Sequence, residues 1–167
     1  MILKNGAVLR KLLIFGNSGS GKSTLAKKVS ETEGLAHLDL DTLAWLKSDP
    51  PQRRALQESA SDIKEFMRLN SSWVIEGCYS DLLGLATAEA NEMIFLNLTV
   101  EQCIENAKSR PWESHKYSSK EAQDKNLPML INWISQYTQR SDTFSKQAHT
   151  DLYDNFSGKK LVYTSNR

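Results

Sequence analysis

The sequence of 167 residues has few cysteines and no long apolar segment. Its two cysteines, Cys78 and Cys103, form no CxxC pair and follow no secretory segment, so we expect free thiols in the cytoplasm and no disulfide framework. The longest apolar run, residues 8–15, is interrupted by Arg10 and Lys11 and is far shorter than the roughly 18 residues of a membrane span. We therefore expect no membrane partner.

An excess of charge of one sign is also absent. Lys and Arg total 21 against 20 Asp and Glu, a formal net charge of +1, and we expect no nucleic-acid partner because duplex binders need a broad basic surface. The 3 histidines lack the HExxH and related spacings, so we expect no zinc site. With 40% hydrophobic and 25% charged residues the composition is ordinary, which predicts one domain over residues 1–167 with a core of its own. No feature of the sequence predicts an oligomeric state.

Strand-like and helix-like segments alternate along the chain, which is typical of an α/β protein with a parallel sheet. Short apolar runs predict strands at residues 9–15, 35–38, 73–75, 93–96 and 161–163. Helical spacing and capping residues predict helices at residues 22–33, from Pro51 through Met67, and at residues 82–90, 99–110, 127–137 and 145–156. We expect three layers, with a five-stranded parallel sheet between helices on both faces.

One internal segment shows neither pattern. Residues 111–126 have no apolar periodicity and carry several charged side chains, namely Lys116, Lys120, Glu121, Asp124 and Lys125. We interpret these residues as a mobile lid over a core made of residues 1–110 and 127–167.

The stretch after the first predicted strand is rich in glycine. Residues 16–23 read GNSGSGKS and fit the pattern GxxxxGK(S/T) of the P-loop, with an apolar strand before it and a helix after it. Glycines without a Cβ let backbone N–H groups turn towards phosphate oxygens, and the helix N-terminus favours an anion. We expect a P-loop NTPase fold in which Lys22 contacts the β- and γ-phosphates of ATP and the Ser23 hydroxyl ligates Mg²⁺. The cofactor-binding residues are then Gly16, Asn17, Ser18, Gly19, Ser20, Gly21, Lys22, Ser23 and Thr24.

The residues after the P-loop help to distinguish between a GTPase, a kinase and a protein that only binds nucleotide. Residues 81–84, DLLG, match the DxxG of GTPases, but no NKxD element for reading guanine follows, so a GTPase is not expected. A small kinase fits the length of the chain. A nucleotide-binding regulatory protein, whose residues 111–126 are ordered by ATP and which has no small-molecule acceptor, fits the fold and the P-loop equally well.

Acidic residues follow two predicted strands. Asp39 and Asp41 come after the second strand, and Glu76 with Gly77 comes after the third. Open α/β sheets bind ligands at the carboxyl ends of their strands, and Mg²⁺ takes few carboxylates and several waters. We expect Glu76 to lie near Mg²⁺ or the phosphoryl acceptor, and Gly77 to let the acceptor approach. For the aspartates an alternative stays open, in which Asp41 caps the next turn and Asp39 is a solvated loop residue.

At the P-loop and at residues 37–41, HLDLD, the chain resembles small P-loop kinases of the adenylate kinase and shikimate kinase type. In particular it resembles the bacterial proteins labelled adenylate-kinase-related or DNA topology modulation proteins, over essentially the whole chain in element order. The resemblance implies an Mg²⁺- and ATP-dependent phosphotransferase that acts on a small metabolite or nucleotide. HLDLD is similar to the DxD of shikimate kinases, which implies that Asp39 helps to hold Mg²⁺ and that Asp41 meets the acceptor.

The resemblance extends to arginines. Arg110-Pro111 is similar to the Arg-Pro at the lid hinge of shikimate kinases, which implies that Arg110 stabilises the transferring phosphoryl group. Arg140, after the lid helix, is a second candidate. Arg53 and Arg54 stand where nucleotide kinases place arginines that bind the acceptor's phosphate. Three of these arginines also have an interpretation without a role in the site. Arg110 fits a cation at the end of a helix, and Arg53 with Arg54 fits a charged helix face.

Two departures from these families leave the acceptor open. Residues 76–79 read EGCY where shikimate kinases carry a glycine triplet, and the GFPR turn typical of adenylate kinases is absent. Acceptor contacts come from variable loops around a common phosphate site. The sequence therefore predicts a class of reaction without naming the acceptor.

Overall fold

A computed structural model of the chain describes residues 9–166. These residues form 5 strands and 7 helices, in the order β1 (Lys11–Gly16), α1 (Lys22–Glu33), β2 (Ala36–Asp39), α2 (Asp41–Ala44), α3 (Leu56–Leu69), β3 (Trp73–Gly77), α4 (Ser80–Gly84), β4 (Glu92–Leu96), α5 (Val100–Lys108), α6 (Lys120–Ser135), α7 (Lys146–Asp154) and β5 (Lys159–Tyr163). Residues 1–8 and 167, which the predicted domain includes, lie outside the described residues. None of the helices among residues 9–166 is long and apolar enough to cross a membrane.

The strands form one parallel sheet in the order β2-β3-β1-β4-β5. β1 lies at the centre, where Leu13 pairs with Ile75 of β3 on one side and with Met93 of β4 on the other. β3 and β4 are buried along their whole length, as their continuous apolar runs require in a parallel sheet covered on both faces. The predicted five-stranded parallel sheet is confirmed.

Side chains that alternate along β1 divide the core into two apolar clusters. Leu13 and Phe15 pack on one face of the sheet, with residues of α3, α4 and α7. Leu12 and Ile14 pack on the other face, with residues of α1, α5 and α6. Helices therefore cover both faces, and the structure has the predicted three layers.

Local signals account for helix ends that the sequence predicted correctly. Gly34 ends α1 with φ of 69°, and its N–H donates to the Ser30 carbonyl. Thr99 begins α5 with a capping box, in which its hydroxyl accepts from the Gln102 N–H and the Gln102 side chain accepts from the Thr99 N–H. Each signal lies within a few residues of the helix end that it defines.

Two other helices differ from their predicted bounds. α3 begins at Leu56 and not near Pro51, because the chain before it forms an antiparallel bridge between Trp45 and Arg53. α4 ends at Gly84, and tight turns occupy residues 85–89, which the sequence predicted to be helical.

The predicted lid, residues 111–126, overlaps the start of a helix. α6 begins at Lys120, so its first turns fall within the predicted lid and Pro128 lies inside the helix. The signals for this start are polar, and apolar periodicity does not detect them: Ser119 caps the helix, and Lys120 pairs with Asp124 at 2.6 Å. Residues 109–119, which connect α5 to α6, are termed the lid segment below.

Candidate active site

The P-loop occupies the turn between β1 and α1, and two of its glycines are required by geometry. Gly19 and Gly21 have φ of 79° and 91°, in a left-handed region that other residues rarely adopt. A Cβ on Gly19 would lie 2.5 Å from the Cys103 carbonyl oxygen of α5, and a Cβ on Gly21 would lie 2.7 Å from the side-chain nitrogen of Asn166. The loop is therefore in close contact with the elements around it.

Lys22 and Asn17 connect the two ends of the loop. The Lys22 ammonium donates to the Asn17 carbonyl at 2.7 Å, and the Asn17 side-chain amide donates to the Ile134 carbonyl of α6 at 3.2 Å. The Lys22 ammonium therefore lies across the loop, where the lysine of this motif reaches phosphate oxygens. Ser18 lies half-buried in the loop, and Thr24 lies exposed in the first turn of α1.

The hydroxyl of Ser23 contacts a buried carboxylate. It donates to Glu76 Oε1 at 2.8 Å, and the same oxygen lies 3.3 Å from His37 Nε2. Glu76 is only 1% exposed, and its contact with Ser23 puts it on the side of the site where Mg²⁺ is expected. Gly77 has a packing role, because a Cβ at this position would lie 3.0 Å from the Cβ of Leu40.

Asp39 and Asp41 lie at the end of β2, where they form the core of a hydrogen-bonded group. Asp39 Oδ1 accepts from the Asp41 N–H at 2.9 Å, so the turn hydrogen bond is made by the half-buried Asp39 side chain and not by Asp41. The Asp41 carboxylate accepts from the Tyr79 hydroxyl on Oδ1 and pairs with the Lys116 ammonium on Oδ2 at 3.1 Å. Tyr79 in turn accepts from the Trp45 indole N–H at 2.8 Å. Sequence reasoning missed Tyr79 and Lys116, because no local pattern marks either residue as a neighbour of Asp41.

The two aspartates differ in their affinity for a proton. Burial, together with the charges of Glu76 and Asp41, raises the pKa of Asp39 to about 6. Burial acts in the same direction on Asp41, but the Lys116 ammonium and the Tyr79 hydroxyl outweigh it and hold the pKa of Asp41 below its ordinary value. Asp41 is therefore ionised at neutral pH, and its carboxylate is held in that form by the Tyr79 hydroxyl and the Lys116 ammonium.

Asp39→Asn should stabilise the protein at neutral pH by about 1 to 3 kcal/mol, because folding raises the pKa of Asp39 to about 6. Asparagine keeps the oxygen that accepts from the Asp41 N–H and removes the charge. Below the unfolded pKa of about 3.9 the wild-type side chain is neutral in both the folded and the unfolded state, so ionisation of Asp39 does not lower the free energy of unfolding there. The free energy of unfolding of the wild type falls as the pH rises from this value through the folded pKa. Denaturant titrations of both proteins below and above this range measure the difference, and an equal gain at both pH values would contradict the expectation.

The lid segment reaches the aspartates through Lys116 and not through Arg110. Lys116 Nζ lies 3.1 Å from Asp41 Oδ2 and 3.3 Å from Glu113 Oε2. Arg110, the predicted catalytic arginine, pairs through Nε with Glu113 Oε1 at 3.1 Å. Lys116 is therefore the cation of the lid segment that contacts Asp41, whereas Arg110 contacts Asp41 only through the intervening pair.

Arg53 lies among aromatic rings. Its guanidinium carbon lies 5.9, 5.1 and 5.7 Å from the ring centroids of Trp45, Tyr79 and Phe144. One of its terminal nitrogens pairs with Asp81 at 3.1 Å. The same Tyr79 donates to Asp41, so Arg53 lies one ring away from the predicted acceptor carboxylate.

The next residue, Arg54, takes part in a different set of contacts. Its Nη1 donates to the Leu43 carbonyl at 2.9 Å and to Asp62 at 2.8 Å, and its Nε lies 3.6 Å from Glu58. These partners belong to α2 and α3. The structure therefore does not bring Arg54 into the predicted acceptor site, because its guanidinium holds two helices together elsewhere.

Arg140 lies on the ring of Trp133, with its guanidinium carbon 3.4 Å from the ring centroid. Its side chain is 10% exposed, and its Nε lies 3.4 Å from Asp142. The Trp133 ring contacts Phe144 with centroids 5.3 Å apart, and Phe144 also contacts Arg53, so both arginines lie against one row of rings. This aromatic row consists of Trp45, Tyr79, Phe144 and Trp133. Within the described part of the chain, Arg53 Nε and Arg140 Nε and Nη1 are buried and have no hydrogen-bond partner.

The donor atoms around the P-loop suit a hard cation. Residues 9–166 contain no group of three or more His, Cys, Asp or Glu side chains that could hold a metal ion. Mg²⁺ needs no such group, because it keeps several waters and takes most of its other ligands from substrate phosphates. The oxygens present are the Ser23 hydroxyl and the carboxylates of Asp39 and Glu76, and they are of the kind that Mg²⁺ prefers.

The sequence matches a known family over most of the region that forms this site. A family model described as an AAA domain (AAA_18) matches residues 12–126, from β1 through the P-loop and the lid segment into α6. The chain belongs to this AAA domain family. Among the curated proteins, none matches this chain.

Solved structures of small kinases share the fold of this chain. A gluconokinase from Sinorhizobium meliloti 1021 superposes with a TM-score of 0.56 at 13% identity, covering 96% of this chain and 85% of its own. A shikimate kinase from Acinetobacter baumannii in complex with shikimate gives 0.51 at 13% identity, covering 95% and 85%. A sugar kinase from Janibacter sp. HTCC2649 gives 0.50 at 15% identity, covering 93% and 85%. The resemblance to small P-loop kinases is thus confirmed at the level of the fold.

Proposed function

We propose that this AAA domain is a kinase that transfers the γ-phosphoryl group of Mg²⁺·ATP to a hydroxyl group of a small anionic acceptor. The observation that carries the proposal is the position of the Asp41 carboxylate beside the P-loop: the Asp41 N–H donates to Asp39, Asp39 pairs in register with Glu76, and Glu76 accepts from the P-loop residue Ser23. A carboxylate that can take the hydroxyl proton, placed beside a phosphate-binding loop, is the arrangement that phosphoryl transfer to a hydroxyl uses. A protein that only binds nucleotide has no use for such a base.

In the proposed reaction Asp41 accepts the proton of the acceptor hydroxyl. The hydroxyl oxygen forms a bond to the γ-phosphorus, the bond from that phosphorus to the β–γ bridging oxygen breaks, and ADP leaves. Lys22 offsets the charge that develops on the phosphate oxygens. Mg²⁺, held by the Ser23 hydroxyl with Asp39 and Glu76 nearby, would neutralise the β- and γ-phosphates.

The lid segment is proposed to close the site around the two substrates. The Lys116 ammonium pairs with Asp41 Oδ2, which is also the oxygen proposed to accept the proton of the acceptor hydroxyl. When the acceptor binds, its hydroxyl takes the place of the ammonium at Oδ2. The displaced ammonium then lies beside the transferring phosphoryl group. Glu113 holds Lys116 and Arg110 together, which connects this exchange to the hinge of the segment. Closure excludes water, which otherwise competes as the acceptor.

The acceptor is proposed to carry a carboxylate or a phosphate group. In the described part of the chain, Arg53 Nε and Arg140 Nη1 are buried without a hydrogen-bond partner, and Arg140 Nε has only its ion pair with Asp142. Buried donors are costly to leave without hydrogen bonds. Carboxylates and phosphates satisfy a guanidinium with two parallel hydrogen bonds. Tyr79 belongs to the aromatic row and also donates to Asp41, so an acceptor whose anionic group binds the arginines can present its hydroxyl to Asp41.

Arg140→Ala should raise the KM for the acceptor by about 10- to 100-fold and leave the KM for ATP within about 2-fold, because a hydrogen bond to a charged group contributes about 1.5–3 kcal/mol. Steady-state kinetics with each substrate varied in turn measure both constants. Arg68→Ala is the matched control, since Arg68 is an exposed arginine of α3 that pairs with Glu65 of the same helix, and its truncation should leave both constants unchanged. An equal rise for ATP and for the acceptor would contradict the assignment of Arg140.

Product analysis tests the proposed function directly. ATP consumption and mass spectrometry of the products are measured over hydroxy acids, sugar phosphates, nucleoside monophosphates and neutral sugars. We expect a new phosphorylated product from an anionic member of this panel. Products from neutral sugars alone would overturn the anionic acceptor. Tight ATP binding with no product, even from a metabolite extract, would favour the nucleotide-binding regulatory protein.

A further inference from the structure

Two side-chain amides bind the carbonyl groups of the P-loop. Asn106 of α5 donates through Nδ2 to the Gly19 carbonyl at 2.9 Å and to Asn166 Oδ1 at 2.8 Å. Asn166, which follows β5, donates through Nδ2 to the Ser20 carbonyl at 2.9 Å. The two amides and the two consecutive carbonyls thus form one connected group of hydrogen bonds between α5, the segment after β5 and the loop.

These hydrogen bonds set the direction of two peptide planes. In a trans peptide, the C=O of one residue and the N–H of the next lie in one plane and point in opposite directions. Holding the Ser20 carbonyl therefore turns the Gly21 N–H away from Asn166, towards the inside of the loop. Holding the Gly19 carbonyl orients the Ser20 N–H, which closes a turn on the Asn17 carbonyl at 3.1 Å. Inward N–H groups are the ones that bind phosphate in such a loop.

The loop glycines leave the room that the amides need. A Cβ on Gly21 would lie 2.7 Å from Asn166 Nδ2, so another residue at this position would displace the amide. α5 is equally close to Gly19, where a Cβ would meet the Cys103 carbonyl oxygen at 2.5 Å. The amide pair and the glycines are therefore packed as one unit.

We propose that Asn106 and Asn166 are positioning residues that hold the P-loop in the conformation that binds nucleotide phosphates. The inference rests on the proposed function only in that the P-loop binds ATP. Neither amide needs to contact the nucleotide, because both act through the loop carbonyls that they bind. Asn166 belongs to the segment after β5, so a displacement of this segment would also weaken phosphate binding by the P-loop.

Asn166→Ala tests this role, because Asn166 is exposed and its truncation leaves the buried core intact. The affinities of Mg²⁺·ATP and of Mg²⁺·tripolyphosphate are measured by calorimetry. We expect the Kd of both to rise by about 5- to 10-fold, as the loss of one or two neutral hydrogen bonds predicts. Tripolyphosphate has no base or sugar, so a loss of affinity for ATP alone would mean that Asn166 contacts the adenosine part and would overturn the proposal.

Asn106→Ala and the double variant test whether the two amides act together. Because Asn106 and Asn166 also bind each other, we expect the double variant to lose less affinity than the product of the two single losses. Ser165→Ala, a change at the exposed neighbour of Asn166, is the matched control and should leave both affinities unchanged. Independent, fully multiplicative losses would contradict a shared role.

Kinetics and melting temperatures separate positioning from a purely structural role. Asn166→Ala should raise the KM for ATP and leave the KM for the acceptor and the melting temperature close to their wild-type values. If wild-type protein binds neither ATP nor tripolyphosphate, the proposed function and this inference both fail. If wild type binds both and Asn166→Ala binds them equally well, only this inference fails.

Discussion

Lys22→Ala should abolish most phosphoryl transfer and lower kcat/KM by about 10³-fold or more, because the P-loop lysine offsets the charge that develops on the phosphates as the bond to the γ-phosphorus breaks. In the structure the Lys22 ammonium lies across the P-loop on the Asn17 carbonyl, and its charge acts on Asp41. Initial rates of formation of the phosphorylated product, measured with the acceptor varied from well below its KM, give kcat/KM and so measure the effect.

Lys27→Ala is the matched control for this prediction. Lys27 is an exposed lysine of the same helix, α1, and its truncation removes an equal charge away from the loop. We expect its kcat/KM to equal that of the wild type. Turnover by Lys22→Ala within a few-fold of the wild type would show that the P-loop does not act in the reaction as proposed.

Asp41→Asn should lower kcat by about 10²- to 10⁴-fold, the range that a positioned general base contributes. Asparagine keeps an oxygen for the Tyr79 hydroxyl and removes the basicity that the acceptor's proton requires. Because Asp41 is proposed to contact the acceptor and not the nucleotide, the Kd of ATP should change little. Single-turnover measurement of phosphoryl transfer, combined with calorimetry for ATP, separates the two effects.

Asp62→Asn is the control for Asp41→Asn. Asp62 lies on α3 and pairs with Arg54, outside the site. The change to asparagine therefore removes the same charge as Asp41→Asn, but away from the proposed base. We expect normal turnover from this variant. A single-turnover rate for Asp41→Asn close to that of Asp62→Asn would refute the assignment of Asp41 as the base.

The elements of the fold were predictable where their signals are local. The apolar runs of β3 and β4, the glycine at the end of α1 and the capping box of α5 each lie within a few consecutive residues. Two of the mispredicted boundaries have different causes. The start of α3 depends on the bridge between Trp45 and Arg53, which is a tertiary contact. The start of α6 depends on polar capping by Ser119, which a search for apolar periodicity passes over.

The site shows the same division at the level of single residues. Arg53 and Arg54 are adjacent and equivalent in the sequence, yet Arg53 lies against the aromatic row and Arg54 binds Asp62 of α3. The same holds for the lid cation, where the sequence pointed to Arg110 and the structure brings Lys116 to Asp41. Arg53 and Arg54 diverge because neighbouring side chains of an extended segment point in alternate directions. Lys116 and not Arg110 meets Asp41 because of the path that the lid segment takes.

The sequence by itself determined the order of the strands and helices except for the short α2, the position of the P-loop and the expectation of carboxylates at the ends of β2 and β3. These features depend on residues that are neighbours in the chain, so propensity, capping and motif spacing suffice to predict them. Only the tertiary structure decided which side chains meet at the site. Asp41, Tyr79 and Lys116 come from distant parts of the chain, and they reach hydrogen-bonding distance only because parallel strands end at one edge of the sheet and the lid segment crosses that edge.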